Sequence, residues 1–415
     1  MSFGPISVVV VSRHRAEALK LCLLSLTWQD VPKLEIVVVA DPAALAQLGS
    51  FEGRLRLVPF DEPNISVARN LGLAAAAGEI VAFIDDDAIA EPTWARRLTS
   101  AFNDPDVVAA TGFVRGRNGM TLQWAANEVD TMGQDHPIPV HGDQGFAHDP
   151  VPGRAVKAVG TNCAFRAAAL RQIGGFDPAF HFYLEDADVS LRLAAHGKTA
   201  VVPLAMVQHG FAASARRRAD RAPLTLDVIA ASTAVFLRRH APQDLAKGLQ
   251  VARSQQRKRL LSLLVDGRLE PRDVGRLLAS FDQGQSAGLA RTLLPLRQIE
   301  KPKIPYLDAG PAGPRPGLVL MGRPWQRRSL DIKAAAAAAQ GHVVTLICLS
   351  PTIRPLWQRF RSDGVWEIRG GIWGKADRRT KALAMAGFSA RVTAIVGEFA
   401  RFRPIRTPDS TINLR

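Results

Sequence analysis

Over the first 85 residues the apolar positions alternate between two periods. Ile6–Val11 is an apolar run broken only by Ser7, and its length and flanking turn residues predict a strand buried on both faces. Ala18, Leu21, Cys22, Leu24 and Ser25 then share one face of a helix, and Glu35–Ala40 returns to strand. A shorter strand over Leu55–Pro59 precedes a predicted helix from about Ile65 to Ala77 that Gly78 closes, and Ile80–Ile84 is the next strand. Strand and helix alternating at these lengths imply right-handed crossovers and an α/β class, with a mostly parallel sheet covered by helices on both faces. Sheets of this kind hold ligands beyond the carboxyl ends of their strands, so the residues just after each strand are where chemistry is expected.

Farther on the pattern changes three times. Between 112 and 155 regularity fades into Gly, Pro, His and Asp, the composition of a long functional loop. Helix and strand patterns return from Ala155 to Val207, and 225–300 reads mainly as helices, with Leu245, Leu249, Ala252, Leu260, Leu261 and Leu264 at apolar spacing. Residues 301–317 are rich in Pro and Gly and read as a linker. Leu318–Met321, an Ala-rich helix near Ile332–Gln340 and Val343–Leu349 then make a second strand–helix–strand unit. The expected organisation is an α/β domain over 1–240, a helical basic region over 241–300, the linker, and a small α/β module over 318–415.

Composition narrows the reading further. At 415 residues, with 47% hydrophobic and 22% charged, the chain can bury a core and is long enough for two or three domains. Its net charge of +15 is unevenly spread: residues 1–210 carry 17 basic and 23 acidic side chains, and residues 211–415 carry 36 and 15. A uniform basic coat for nucleic acid is therefore disfavoured. Three widely separated cysteines (Cys22, Cys163, Cys348) argue against a disulfide framework or a structural zinc site and fit a reducing compartment. No secretory signal is visible, and the longest later apolar run, Val228–Leu237, is well short of the ~20 residues of a membrane span. These points predict a cytoplasmic chain, or one peripheral on the inner face of a membrane.

Three clusters are candidates for chemistry. Asp85-Asp86-Asp87 directly follows a buried strand, and alternation would place Asp85 and Asp87 on one side and Asp86 on the other. Two hard carboxylates on one side suit Mg²⁺ or Mn²⁺; the alternative is a polar turn with one Asp capping the helix near Pro92. Ahead of it, Asn64–Asn70 opens a helix whose N-terminus and Arg69 can face an anion, or simply water. Third, Gly174-Gly175-Phe176-Asp177 precedes Glu185, Asp186 and Asp188, all in the first turn of a helix that stops at Gly197. Those acids either complement the helix dipole or include a general base held in an apolar setting. His209 follows Val207 at another strand end, as a structural histidine or a ligand.

The ordered set Val8–Arg15, Glu35–Asp41, Asn64–Gly72, Phe83–Asp87, Gly174–Asp177, Glu185–Arg192 and His209 resembles a family 2 glycosyltransferase with the GT-A fold, over roughly residues 5–240. The segments Val11-Ser12-Arg13-His14-Arg15 and Ala40-Asp41-Pro42-Ala43 depart from the family's usual strand-end patterns, which help to hold the nucleotide base. The resemblance implies inverting transfer of a sugar from a nucleotide-diphosphate donor to a glycan or lipid-linked acceptor hydroxyl in surface polysaccharide assembly, with Mn²⁺ or Mg²⁺ as cofactor. It implies donor contacts from Ser12, Arg13, Asp41, Arg69, Asp85 and Asp86, and metal ligation by Asp87 and His209 with Asp85. Asp186 matches the family's base, with Glu185 as the second candidate. Gly175, Phe176, Asp177, Arg216 and Arg217 are expected on the acceptor side.

The basic half is read separately. Arg216–Arg218, Arg238–Arg239, Arg257–Arg259 and Arg401/Arg403/Arg406 carry much of its charge, and Arg253 and Arg257 stand four apart beside a leucine face, as on a membrane-surface helix. A solvated face is the alternative. If the site set is not catalytic, the chain is instead a GT-A-shaped scaffold that binds polyanions or partner proteins through this half.

Overall fold

The computed structural model of the chain describes residues 4–210, 216–218, 220–310, 313–377 and 386–405. The Val-rich strands Ile6–Val11 and Leu34–Ala40 are almost wholly buried and pair in parallel, Val8 opposite Ile36 and Val10 opposite Val38. Ile80–Asp85 lies parallel on the other side of Ile6–Val11, and Arg56–Pro59 lies outside Leu34–Ala40. Strands running the same way end on the same edge, so Ser12, Asp41, Asp61 and Asp85 emerge together there.

Two further strands complete that edge. Asn162–Arg166 inserts antiparallel between Ile80–Asp85 and Val107–Arg115, so that Thr161 enters beside Asp85. Lys198–His209 runs parallel to Val107–Arg115, and its end pairs antiparallel with Ala88–Ala90, His209 opposite Ala88. The helix nearest Pro92 is Trp94–Ser100, with Thr93 at its N-cap position. None of Asp85–Asp87 caps it, while Asp86 and Asp87 do form the turn between Ile80–Asp85 and Ala88–Ala90.

The helix Ile65–Ala75 begins at Asn64, whose side chain accepts from Val67 N–H at 3.1 Å. It stops two residues before the expected end. The Glu35 carboxylate takes the Ala77 N–H at 2.7 Å, and Arg171 takes the Ala76 carbonyl at 2.6 Å, so both groups are lost to the helical ladder. Gly72 lets this helix lie close on the sheet: a Cβ there would stand 2.3 Å from Val9 Cγ1. Between 112 and 155, expected as a loop, the chain holds short strands of three or four residues, among them Asn127–Asp130, Asp135–Pro137 and Arg154–Val156 in a small antiparallel sheet. Such short strands, set among turn residues, leave too little alternation to read.

Asp227–His240 packs with Leu245–Val265 and Pro271–Ala290, Leu226 and Ala230 meeting Leu260, Leu277 and Phe281 in one cluster. A boundary at 240 would cut that helical unit. The stretch expected to be a linker is pinned along the sheet: Tyr306 Oη donates to Ile6 O at 2.8 Å, Ala309 N to Leu34 O at 2.7 Å, and Arg56 to Pro305 O at 2.7 Å. Partners at the starts of those strands take several of its polar groups. The C-terminal module has a four-stranded sheet in the order Gly317–Gly322, Val343–Ser350, Trp366–Gly371, Trp357–Phe360, with helices Arg327–Ala339 and Phe388–Ala400. It shares a core with the first domain, where Phe113, Val201 and Met206 meet Ile347, Ile368 and Phe399. Among the described residues no helix is long and apolar enough to cross a membrane.

Candidate active site

Asp85 is the last residue of its strand and is gripped from two sides. Thr161 Oγ1 donates to its Oδ2 at 2.6 Å, and Arg69 Nη2 lies 3.5 Å from its Oδ1. Asp86 turns inward, accepting from Ser12 Oγ at 2.6 Å and contacting the Arg15 guanidinium. Burial pushes the Asp86 carboxyl up to about 7, against the pull of Arg15 and Ser12. Asp87 returns to the side of Asp85, with Oδ1 3.1 Å from His209 Nε2 and Oδ2 3.6 Å from Arg15.

The ring of His209 is oriented by its other nitrogen: Nδ1–H donates to Gln123 Oε1 at 3.1 Å, which leaves Nε2 facing the carboxylates. Burial acts to lower the His209 pKa, but the bond to Asp87 and the charges of Asp87 and Asp85 outweigh it and hold the pKa above its ordinary value. Asp85, Asp87 and His209 each present one ligand atom, all within 4.8 Å of one another. Two carboxylate oxygens and an imidazole nitrogen, already oriented by neighbouring groups, fit Mn²⁺ or Mg²⁺ in donor type and spacing.

The second acidic group is the start of Glu185–Leu193. Tyr183 and Leu184, immediately before it, both have left-handed backbones (φ +77° and +67°), a costly geometry for side chains of this size that aims the first helical turn at the sheet edge. The three acids of that turn are then used differently. Asp188 is buried and paired with Arg192 at 2.6 Å and His240 at 2.9 Å. Glu185 is buried against Arg69 at 2.9 Å; burial raises its pKa, with Arg69 opposing. Only Asp186 is half-exposed, accepting from Gly160 N–H at 3.3 Å.

Gly160 and Thr161 are consecutive, so one loop touches Asp186 with its first residue and Asp85 with its second. Gly160 has no room for a side chain: a Cβ would stand 2.3 Å from Arg69 Nη2. Lys157 lies nearby, 5.0 Å over the Trp124 ring and 3.2 Å from Asp135. Burial acts to lower its pKa, yet Asp186 and Asp135 keep it raised.

Other expected site residues are engaged within the chain. Asp41 is buried and accepts from His14 N–H at 2.7 Å and Ala44 N–H at 3.0 Å, so it caps the helix Pro42–Leu45 and pins the loop after the first strand. Burial acts to raise its pKa, but those two N–H groups outweigh it and hold the carboxyl below its usual range. Arg13 is exposed and pairs with Asp61 at 2.8 Å. Gly175, Phe176 and Asp177, expected on the acceptor side, are all buried. A Cβ on Gly175 would stand 2.3 Å from Asn70 Oδ1, Phe176 packs edge-on to Phe83 with Arg69 5.2 Å from its ring, and Asp177 pairs with Arg239 at 2.9 Å. They support Arg69 from below and offer no surface to an acceptor.

Arg216 lies 4.2 Å over the Phe182 ring, in a recess shared with Arg217 and Arg259. Arg15, Thr161, Gly160, Gln123 and Lys157 were not singled out from the sequence as site residues. For Gly160, Thr161 and Lys157 the signal available was a position next to a strand end, which is weak for any single residue.

The sequence model of the family described as "Glycosyltransferase like family 2" matches residues 4–222, just over half of the chain. The chain belongs to this family. Its mixed α/β architecture, in which Arg56–Pro59, Leu34–Ala40, Ile6–Val11 and Ile80–Asp85 run parallel, agrees with the GT-A fold class expected for a member. Among curated relatives, a pre-mycofactocin glycosyltransferase of Mycobacterium tuberculosis is 29% identical over 219 residues, covering 50% of this chain and 43% of that protein. A glucosyl-dolichyl phosphate glucuronosyltransferase of Haloferax volcanii is 29% identical over 182 residues, covering 41% and 56%. An O-antigen biosynthesis protein of Myxococcus xanthus is 28% identical over 235 residues, covering 52% and 18%. The chain thus spans about half or less of the length of these relatives. A solved structure of GalNAc-T7 with UDP, GalNAc and Mn²⁺ aligns at TM-score 0.39 and 14% identity, covering 57% of this chain and 48% of that one.

Proposed function

We propose that this family member is a metal-dependent inverting glycosyltransferase that moves a sugar from a nucleotide-diphosphate donor to a hydroxyl of a glycan or lipid-linked acceptor, in the assembly of a surface polysaccharide or glycoconjugate. One observation carries the reading: a metal-competent triad of Asp85, Asp87 and His209 stands at the strand edge, and the loop Gly160–Thr161 joins it to Asp186, the half-exposed acid in the first turn of Glu185–Leu193. The names of the relatives, which include glycosyltransferases and an O-antigen biosynthesis protein, support the same class.

Asp85, Asp87 and His209 would hold the divalent cation, which when bound offsets charge on the diphosphate leaving group. The chain's own residues do the rest. Ser12 and Arg15 fix Asp86, and with it the acidic turn, while Arg13, His14 and Asp41 frame the side on which a nucleotide base would lie. Arg69 ties Asp85 to Glu185, so the donor edge and the catalytic helix keep their spacing. Asp186 takes the proton of the acceptor hydroxyl as that oxygen bonds to the anomeric carbon. The bond from that carbon to the diphosphate oxygen breaks on the opposite face, and the configuration inverts. Glu185 already faces Arg69 and is the second choice as base. Arg216 and Arg217, beside Phe182, supply positive charge for an acceptor or diphosphate oxygen.

A thermal-shift panel of nucleoside diphosphates, each with and without Mn²⁺, tests the reading. One nucleotide should raise the Tm at tens of Kd, equivalent to about 2 kcal/mol of linkage, only when Mn²⁺ is present. No shift with any nucleotide, or equal shifts without the ion, would refute it.

A further inference from the structure

The module over 317–405 touches the candidate site through a chain of buried polar groups, and no role has yet been assigned to it. Arg403 is buried and grips Glu91 with two bonds, Nε to Oε2 at 2.9 Å and Nη2 to Oε1 at 2.7 Å. Its Nη2 also donates to Gln358 Oε1 at 3.0 Å. Gln358 in turn exchanges two bonds with Gln208: its Nε2 donates to Gln208 Oε1 at 3.0 Å, and Gln208 Nε2 donates to the Gln358 carbonyl at 2.9 Å. All four side chains are buried.

The ends of this chain matter. Glu91 follows the strand Ala88–Ala90 that begins right after Asp87, and Gln208 directly precedes His209. Those two strands are paired with each other, Ala90 opposite Val207 and Ala88 opposite His209, and Gly210 N–H donates to Asp87 O at 2.7 Å. The network therefore spans from one ligand-bearing strand to the other by way of the C-terminal module. A strand of three residues has little rigidity of its own. Its register against the His209 strand is fixed from behind, by groups that cannot leave without stranding a buried charge.

We infer that the C-terminal module is a positioning element for the Asp87–His209 pair, acting through Arg403 and Gln358 on Glu91 and Gln208. The inference rests on the proposed reading of Asp85, Asp87 and His209 as the cation site. None of the four network residues touches donor or acceptor; they are positioning residues, and the quantity they set is the preorganisation of the ligand atoms.

The test measures Mn²⁺ binding to the full chain directly, from the electron paramagnetic resonance signal of the free ion, with circular dichroism as the check on folding. Gln358→Asn shortens the side chain by one methylene, so its amide no longer reaches both Gln208 Oε1 and Arg403, while the bond from Gln208 to the backbone carbonyl of residue 358 stays. The double variant Gln208→Leu/Gln358→Leu removes both amides together, so neither amide is left facing an apolar partner, and Arg403 keeps its two bonds to Glu91. Trp325→Ala, on the same module but 74% exposed, is the control. Folded Gln358→Asn or the double variant should bind Mn²⁺ about tenfold more weakly than wild type, with Trp325→Ala unchanged. Wild-type affinity in a folded network variant, or an equal loss in Trp325→Ala, overturns the positioning role and leaves the cation site standing. A wild-type chain that takes up no Mn²⁺ overturns the site itself, and the inference with it.

Discussion

Asp186 and Asp188 sit on one helical turn, two residues apart, and the structure gives them opposite surroundings. Asp188 faces Arg192 and His240 and is buried; Asp186 is half-exposed beside Gly160. Burial acts to raise the Asp188 pKa, but His240 and Arg192 outweigh it and hold it below its usual value. A depressed carboxylate contributes stability that is present above the unfolded pKa and is lost as pH falls through the folded one. Asp188→Asn should therefore cost about 3 kcal/mol at pH 7 in urea unfolding, and the gap to wild type should narrow as pH falls below about 4. A constant gap across that range would remove the ion pairs as its cause. At this scale the sequence was partly readable. Asp86 stands apart from Asp85 and Asp87 as alternation expects, although the segment is a turn; only the family resemblance picked Asp186 over Asp188, and nothing in helical spacing distinguishes their surroundings. That distinction depends on His240 and Gly160, which are distant in sequence. Arg15 and Thr161 were missed for the same reason, since each reaches Asp85–Asp87 only once the strands are aligned.

Helices and strands were legible where they are long and mostly buried. Ile6–Val11, Leu34–Ala40 and Ile80–Asp85 fall within a residue or two of where apolar runs predict them. Ends set by tertiary partners were not legible: Ile65–Ala75 stops because Glu35 and Arg171 capture its last groups. Gly72 in this helix gives a test in which propensity and packing disagree in sign. Intrinsic preference predicts that Gly72→Ala stabilises by about 1 kcal/mol. The 2.3 Å approach of the new Cβ to Val9 Cγ1 predicts a loss of about 1–3 kcal/mol instead, because a packed sheet face has little room to give. A lower Tm in the variant supports the close helix–sheet docking that carries Arg69; a higher Tm contradicts it.

For the whole molecule, the uneven charge is the feature that the structure changes most. Arg253 pairs with Asp282 in two bonds, Arg238 bonds the Gly288 and Arg291 carbonyls, Arg239 meets Asp177, and Arg401 meets Asp143 and Glu398. Arg403 is buried on Glu91, and Arg406 lies outside the described residues. Several of these arginines thus brace the fold, which engages Arg253 of the expected membrane-surface stripe, while Arg257 stays exposed. Composition counts charges but cannot see their partners. The same shared interior bears on cooperativity. Because Ile347, Ile368 and Phe399 lie in one core with Phe113, Val201 and Met206, scanning calorimetry should give a single transition in which the C-terminal module melts with the first domain. Two separated transitions would mean that the module is an independent unit.

The most direct test of the central claim compares wild type, Asp87→Ala and Asp186→Asn for nucleotide release from a panel of nucleotide-sugar donors in the presence of Mn²⁺ and a hydroxyl acceptor. The account predicts that wild type releases one nucleotide, that Asp87→Ala loses the Mn²⁺-dependent rate by at least about a hundredfold, and that Asp186→Asn loses transfer to a similar extent while still binding donor. Release that is independent of the metal and undiminished in both variants would contradict it.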